Sequence, residues 1–223
     1  MRFDEKRVLV TGASRGIGRA IALQFAAAGA RVAVHYQTNQ SAAETTLAEL
    51  PGTGHTLCAG DVADPDAVSQ LVAKTVTDLG GLDILVNNAG IFEAHPVNEV
   101  SYEDWQHHWQ RTLTVNLTGP ANLCWHAVQH MRQSGGGRIV NVSSRGAFRG
   151  EPRCPAYGAS KAGLNALTQS LAQQLAPLGI FVGAVAPGFV ETDMASTVLE
   201  GPGGDAVRRQ SPLGRVAKPE EVA

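Results

Sequence analysis

The chain has 223 residues, with 18 lysines and arginines against 20 aspartates and glutamates, for a net charge of −2. That length accommodates one α/β domain with a sizeable core but not two of comfortable size. The near-balanced charge, with no local basic stripe, excludes a polyanion-binding surface, so no nucleic-acid partner is expected; no apolar run approaches the roughly 18–20 residues that cross a bilayer, so no membrane partner is expected either.

Taken in chain order, the charged N-terminus (Met1 to Arg7) leads straight into a short apolar strand and lacks a signal-peptide core. Near-continuous apolar runs predict strands over 7–11, 31–36, 55–58, 83–86, 138–142 and 180–185. Helical patterns fill the spaces between them, over 18–28, 41–50, 65–79, 102–133 and 156–175. Such alternation implies right-handed βαβ units, and hence a Rossmann-like, doubly wound parallel sheet in three α/β/α layers. A single domain over 1–223 is expected. Ligands in such a sheet bind beyond the C-terminal ends of the strands. Three cysteines, Cys58, Cys124 and Cys154, are an odd number without metal-like spacing. They read as free thiols of a reducing, cytoplasmic compartment.

The first strand-to-helix junction is Thr11-Gly12-Ala13-Ser14-Arg15-Gly16-Ile17-Gly18. Glycines there permit a tight turn and let the backbone approach a pyrophosphate at a helix N-terminus. A dinucleotide is therefore expected against Gly12, Ser14, Arg15, Gly16, Ile17 and Gly18. The second strand ends His35-Tyr36-Gln37-Thr38, without the acid that would bind a ribose 2′-hydroxyl. Its absence admits a 2′-phosphate, and Arg15 offers that phosphate a bidentate guanidinium. NADP(H) is expected in preference to NAD(H). Asp61 is placed to accept a bond from the adenine amino group, whereas Asp64 is better placed to cap the following helix.

Further along, Tyr157 and Lys161 lie four residues apart, sharing one face of a helix. A lysine cation there lowers the phenol pKa, making Tyr157 a general acid or base near neutral pH. Adjacent histidines, His107 and His108, point in different directions on a helix, and no metal site is expected.

Together these motifs resemble the short-chain dehydrogenase/reductase family, and 3-oxoacyl-[acyl-carrier-protein] reductase-like members in particular. The matching elements run in order: the Thr-Gly-x-x-x-Gly-x-Gly loop, Asn87-Asn88-Ala89-Gly90, Asn116, Ser144, Tyr157 with Lys161, and Pro187-Gly188 with Thr192. The resemblance implies a catalytic tetrad of Asn116, Ser144, Tyr157 and Lys161, with Ser144 preferred to Ser143 for its separation from Tyr157. It also implies cofactor contacts at Tyr36, Asp61, Val62, Asn88, Ala89, Gly90, Tyr157, Lys161, Pro187, Gly188, Val190 and Thr192. In that arrangement Tyr157 protonates the oxygen that receives a hydride at its carbon, Ser144 hydrogen-bonds the same oxygen, Lys161 holds the nicotinamide ribose, and Asn116 positions a relay water.

The implied activity interconverts a ketone or aldehyde with an alcohol, acting on a small molecule. Substrate choice is expected in 91–99 and 189–210, the latter a glycine-rich lid, with Phe92, His95, Phe148, Arg149, Glu151, Arg153, Phe189 and Met194 as pocket candidates. A 3-oxoacyl carrier reductase is the alternative activity, although the arginines that dock the carrier align with Gly135 and Leu178 here. A non-catalytic NADP-sensing binder is the alternative of another class. Two departures stand out: about one extra helical turn between Trp105 and Trp109, and an end at Ala223 where the family continues through a helix to a final strand. That segment often helps build a homodimer or homotetramer, and one of these assemblies is expected.

Overall fold

The computed structural model describes residues 2–223, the side chain of Thr197 excepted. Six strands form one parallel sheet: β1 (Arg7–Val10), β2 (Arg31–Tyr36), β3 (Thr56–Ala59), β4 (Ile84–Asn87), β5 (Gly137–Val142) and β6 (Ile180–Val185). Their spatial order is β3-β2-β1-β4-β5-β6. The chain starts at the centre, winds outward to β3, then returns to the other side of β1 at β4. The order therefore reverses between β1 and β4, which opens a crevice above their C-terminal ends.

Helices cover both faces. Alternate side chains of one strand divide between them, as the period of two requires. Val8 and Val10 of β1 pack with Ile21, Ala22 and Ala26 of α1 (Gly16–Ala27) and with Ala43 of α2 (Gln40–Glu49). Leu9 points the other way, into a larger cluster with Leu71 and Val72 of α3 (Pro65–Leu79) and Leu123 and Met131 of α5 (Gly119–Met131). The same cluster takes in Leu175 at the end of α7 (Pro155–Leu175).

The region 102–133 is not one continuous helix. It begins as α4 (Tyr102–Leu113), passes through a π-helical turn (Thr114–Thr118) and resumes as α5. Pro120 explains the break: without an N–H it cannot serve the Asn116 carbonyl as the α-helical partner four residues on. Gly119 N donates instead to Thr114 O, five residues back. Four further helices lie beyond the sequence-predicted set: α6 (Gly146–Arg149), then α8 (Asp193–Glu200) and α9 (Gly204–Arg208) in the glycine-rich segment, and α10 (Pro219–Val222). No helix among the described residues is long and apolar enough to cross a membrane.

Candidate active site

The glycine loop joins β1 to α1, and its shape is held from three sides. Thr11 Oγ1 accepts from the backbone N–H groups of Asn88 and Ala89 at 2.9 and 3.0 Å. Asn88 Nδ2 returns two bonds, to Thr11 O and Gly12 O. From β2, His35 Nδ1 accepts from Gly12 N at 3.0 Å while its Nε2 donates to Gly60 O at 3.0 Å. Burial drives His35 down to about 4, so it stays neutral and keeps this tautomer at physiological pH. Gly12 needs its positive φ of 63°. Gly18 is fixed by close approach: a Cβ there would meet Gly12 O at 2.3 Å. It packs beneath the loop, whereas Gly12, Ser14, Arg15, Gly16 and Ile17 line a cleft of about 710 Å³.

That cleft runs along the C-terminal ends of the strands. Tyr36, Asp61, Val62, Asn88, Ala89, Gly90, Pro187, Gly188, Val190 and Thr192 all line it. The α1 N-terminus, at Gly16, opens onto it with no side-chain cap on its free N–H groups, an arrangement that suits an anion. The glycine-rich loop, the uncapped helix and a cleft of this length fit a dinucleotide. Asp61 Oδ1 accepts from Ala63 N, while Asp64 caps α3, so Asp61 is not spent as the helix cap. At the adenosine end expected for Arg15, its guanidinium meets Asp193 of α8 at 3.4 Å, both largely exposed.

The other end of the cleft holds Ser144, Tyr157 and Lys161. Lys161 is 5 % exposed, and its Nζ donates to Val142 O at 2.8 Å and lies 5.8 Å from the centre of the Tyr157 ring. Phe92 packs edge-on against the Tyr157 ring, with centroids 4.8 Å apart. Ser144 faces the phenol, while Ser143 Oγ turns to the Lys161 carbonyl at 3.4 Å. Asn116 lies just below the cleft, fully buried. Its Oδ1 accepts from Ile91 N at 2.9 Å, and its Nδ2 donates to Ile91 O and to Ser160 Oγ. Ser160 in turn donates to Tyr157 O at 2.7 Å, tying the π turn to the helix that carries the phenol. Gly90 leaves the room between the last two members: a Cβ there would crowd Asn116 Oδ1 at 3.2 Å and touch Lys161 Nζ at 3.7 Å.

The electrostatics correct one expectation. Burial raises the Tyr157 phenol above 10, and the facing Ser144 hydroxyl only partly opposes it. The Lys161 ammonium, 5.8 Å from the ring centre and hydrogen-bonded to Val142 O, does not outweigh that burial. Desolvation also brings Lys161 itself down to about 8. The phenol is thus held protonated at neutral pH, the state of a proton donor.

Several pocket candidates lie elsewhere. Phe92, Glu151, Phe189 and Met194 line the cleft. His95 does not. It is fully buried, stacks on His108 at 5.2 Å, and its Nε2 accepts from Ala156 N at 3.2 Å. It therefore anchors the N-terminus of α7, a start with no side-chain cap of its own. Phe148 points outward at 76 % exposure, and Arg153 pairs with Glu99. His108 pairs with Glu93. Cys58, Cys124 and Cys154 are free and buried, their thiols pushed up to about 12, 12 and 11, so none is a ready nucleophile. The supporting roles of Thr11, His35, His95 and Ser160 were not foreseen; a histidine within the apolar run of β2 was the one available signal.

Comparison with known proteins places this geometry. The family model for short chain dehydrogenase matches residues 6–203. A 3-oxoacyl-[acyl-carrier-protein] reductase of Synechocystis sp. is 41% identical over 218 residues, covering 96% of this chain and 85% of the relative. A D-threitol dehydrogenase of Mycolicibacterium smegmatis is 38% identical over 224 residues, covering 100% and 84%. A crystal structure of a short chain dehydrogenase from Burkholderia cenocepacia in complex with NADP superposes with a TM-score of 0.88 at 39% identity, covering 100% of this chain and 89% of that one. The chain belongs to the short-chain dehydrogenase family and is an oxidoreductase.

Proposed function

We propose that the protein interconverts a ketone or aldehyde with an alcohol, preferring NADP(H) to NAD(H), through Asn116, Ser144, Tyr157 and Lys161. The observation that carries the reading is the buried floor of one cleft, where a protonated phenol faces a serine hydroxyl beside a buried lysine, at the far end from a phosphate-sized glycine loop. A bound nicotinamide supplies or accepts the hydride. In the reducing direction Ser144 and Tyr157 hydrogen-bond the carbonyl oxygen. As negative charge grows there Tyr157 delivers its proton, and Ser144 stabilises the same oxygen. Lys161, cationic for the most part at neutral pH, favours the resulting tyrosinate and returns a proton toward it. Asn116 positions: its bonds to Ile91 and Ser160 hold the loop and the helix on either side of Lys161.

The cofactor preference rests on the 2′-phosphate end. Tyr36, Gln37, Thr38 and Asn39 line the cleft there without an acid, and Arg15 is free to exchange a mostly exposed ion pair for a phosphate. Relatives named for a thioester-linked ketone and for a polyol support the reaction class and leave the substrate open.

The test is cofactor oxidation over a panel of ketones, aldehydes, acetoacetyl thioesters and sugar-derived carbonyls, with NADPH and with NADH. Turnover of at least one carbonyl with NADPH is expected. In Arg15→Ala the KM for NADPH should rise about tenfold, the loss of roughly one charge-assisted bond, with little change for NADH. Tight NADPH binding without turnover of any carbonyl would favour a nucleotide-sensing binder instead, and equal use of NADH and NADPH would overturn the preference.

A further inference from the structure

Two guanidiniums converge at the edge of the cleft: that of Arg145, which lines it, and that of Arg149, just outside its lining. Arg145, the residue after Ser144, and Arg149, the last of α6, both donate to one atom, Gln210 Oε1, at 2.7 and 3.0 Å. Among the described residues neither has a carboxylate within ion-pair distance. The neighbouring arginines contrast with them: Arg111 pairs with Glu93, Arg153 with Glu99 and Arg15 with Asp193. Glu151 also faces the cleft and attracts Arg145 from a distance, but it does not reach it as an ion pair.

Bringing two like charges onto a neutral amide oxygen is unfavourable, and partial burial adds to the cost. The strain falls on Arg145: burial foremost, then the Arg149 charge, lowers its pKa. Its position is nonetheless well fixed. The guanidinium stacks 4.5 Å over the Phe189 ring, and its backbone N–H donates to Pro187 O at 2.9 Å. Each guanidinium presents parallel N–H groups that match an oxyanion. Gln210 supplies the geometry of such an acceptor without its charge.

We propose that the substrate carries an oxyanionic substituent, a carboxylate or a phosphate ester, which Arg145 and Arg149 grip in place of Gln210 while its carbonyl group lies against Ser144 and Tyr157. This rests on the carbonyl/alcohol reading of the same site.

Matched pairs test it: pyruvate against methyl pyruvate, acetoacetate against methyl acetoacetate, and dihydroxyacetone phosphate against dihydroxyacetone. The readout is the ratio of kcat/KM for the anion to that for its neutral partner. In the wild type at least one pair should favour the anion about tenfold or more, and which pair does so separates carboxylate from phosphate. Arg145→Met and the more exposed Arg149→Met should each lower that ratio about tenfold. Gln210→Glu, which places a carboxylate between the guanidiniums, should lower it too. A ratio near one in the wild type, or one unmoved by all three substitutions, overturns the assignment while turnover of the neutral carbonyls leaves the reaction class standing. Turnover of no carbonyl at all sinks the reaction class and this assignment with it.

Discussion

The floor of the cleft and its roof are built to different standards. On the floor, Asn116, Ser144 and Lys161 are buried at the edge of the main core, and their polar atoms are tied to the backbone of β5, α6 and the loop after β4. The roof, 189–217, has its own small apolar cluster, Ala195, Leu199 and Val216 with Phe189 and Val207 against it. One parallel bridge, Val190 to Ala217, ties its two ends together, and it meets the rest through side chains: the exposed Arg15–Asp193 pair, the bonds of Arg145 and Arg149 to Gln210, and Arg145 over Phe189. A proton donor must be held within tenths of an ångström, which broad packing supplies. A lid must open, so it is drawn from the less stable part of the fold. On the proposed function, chemistry belongs to the floor and specificity to the roof.

Breaking the floor should cost most. Ser144→Ala removes a donor to the reacting oxygen and should lower kcat about 10²–10³-fold with cofactor affinity retained. Ser143→Ala loses only a 3.4 Å bond to the Lys161 carbonyl and should stay within about threefold. Steady-state kinetics with cofactor titration on both variants checks the pair; equal losses would erase the distinction between the two serines.

Lys161 gives the next effect, in stability rather than rate. Its pKa falls from 10.5 to about 8 on burial. Between those values the unfolded chain binds a proton that the folded chain does not, so stability through this group rises with pH across the window. The penalty is fully present below about pH 8. Relative to Lys161→Met, the wild type should gain on the order of 3 kcal/mol between pH 8 and 10.5, measured by denaturant unfolding. A difference between the two that is flat with pH would show that the ammonium is not desolvated.

The smallest effect should come from the roof. Leu85→Ala, in the sheet core, should cost about 2–5 kcal/mol of global stability. Leu199→Ala, in the cluster of the roof, should change the unfolding midpoint by less than about 1 kcal/mol yet raise KM, because α8 and α9 loosen locally before the sheet unfolds. Thermal unfolding beside hydrogen exchange over 189–217 separates the two; a global loss matching Leu85→Ala would mean that roof and floor are one cooperative unit.

The sequence carried the floor further than the roof. Apolar β-branched runs place all six strands to within a residue or so, because a strand covered on both faces has little freedom in composition. The glycine loop was legible because a close backbone approach requires glycine, whereas most other residues that line the cleft followed only from the family resemblance. The helix over 102–133 read as continuous because its periodicity survives the π turn, although Gly119-Pro120 was a usable warning. Burial is what sequence could not weigh: it raises the Tyr157 phenol where a Tyr-x-x-x-Lys spacing alone predicts a fall. His95 looked like a pocket residue because no sequence pattern reports that its ring nitrogen accepts from the start of α7. The helices of the roof were hidden by their short length and their glycines.

Tyr157→Phe tests the central claim most directly, because it removes one oxygen from the floor and leaves the ring that packs on Phe92. On the carbonyl that the wild type turns over best, kcat with NADPH should fall about 10²–10⁴-fold while the dissociation constant for NADPH changes little. A Tyr157→Phe enzyme with near-normal turnover would contradict the account.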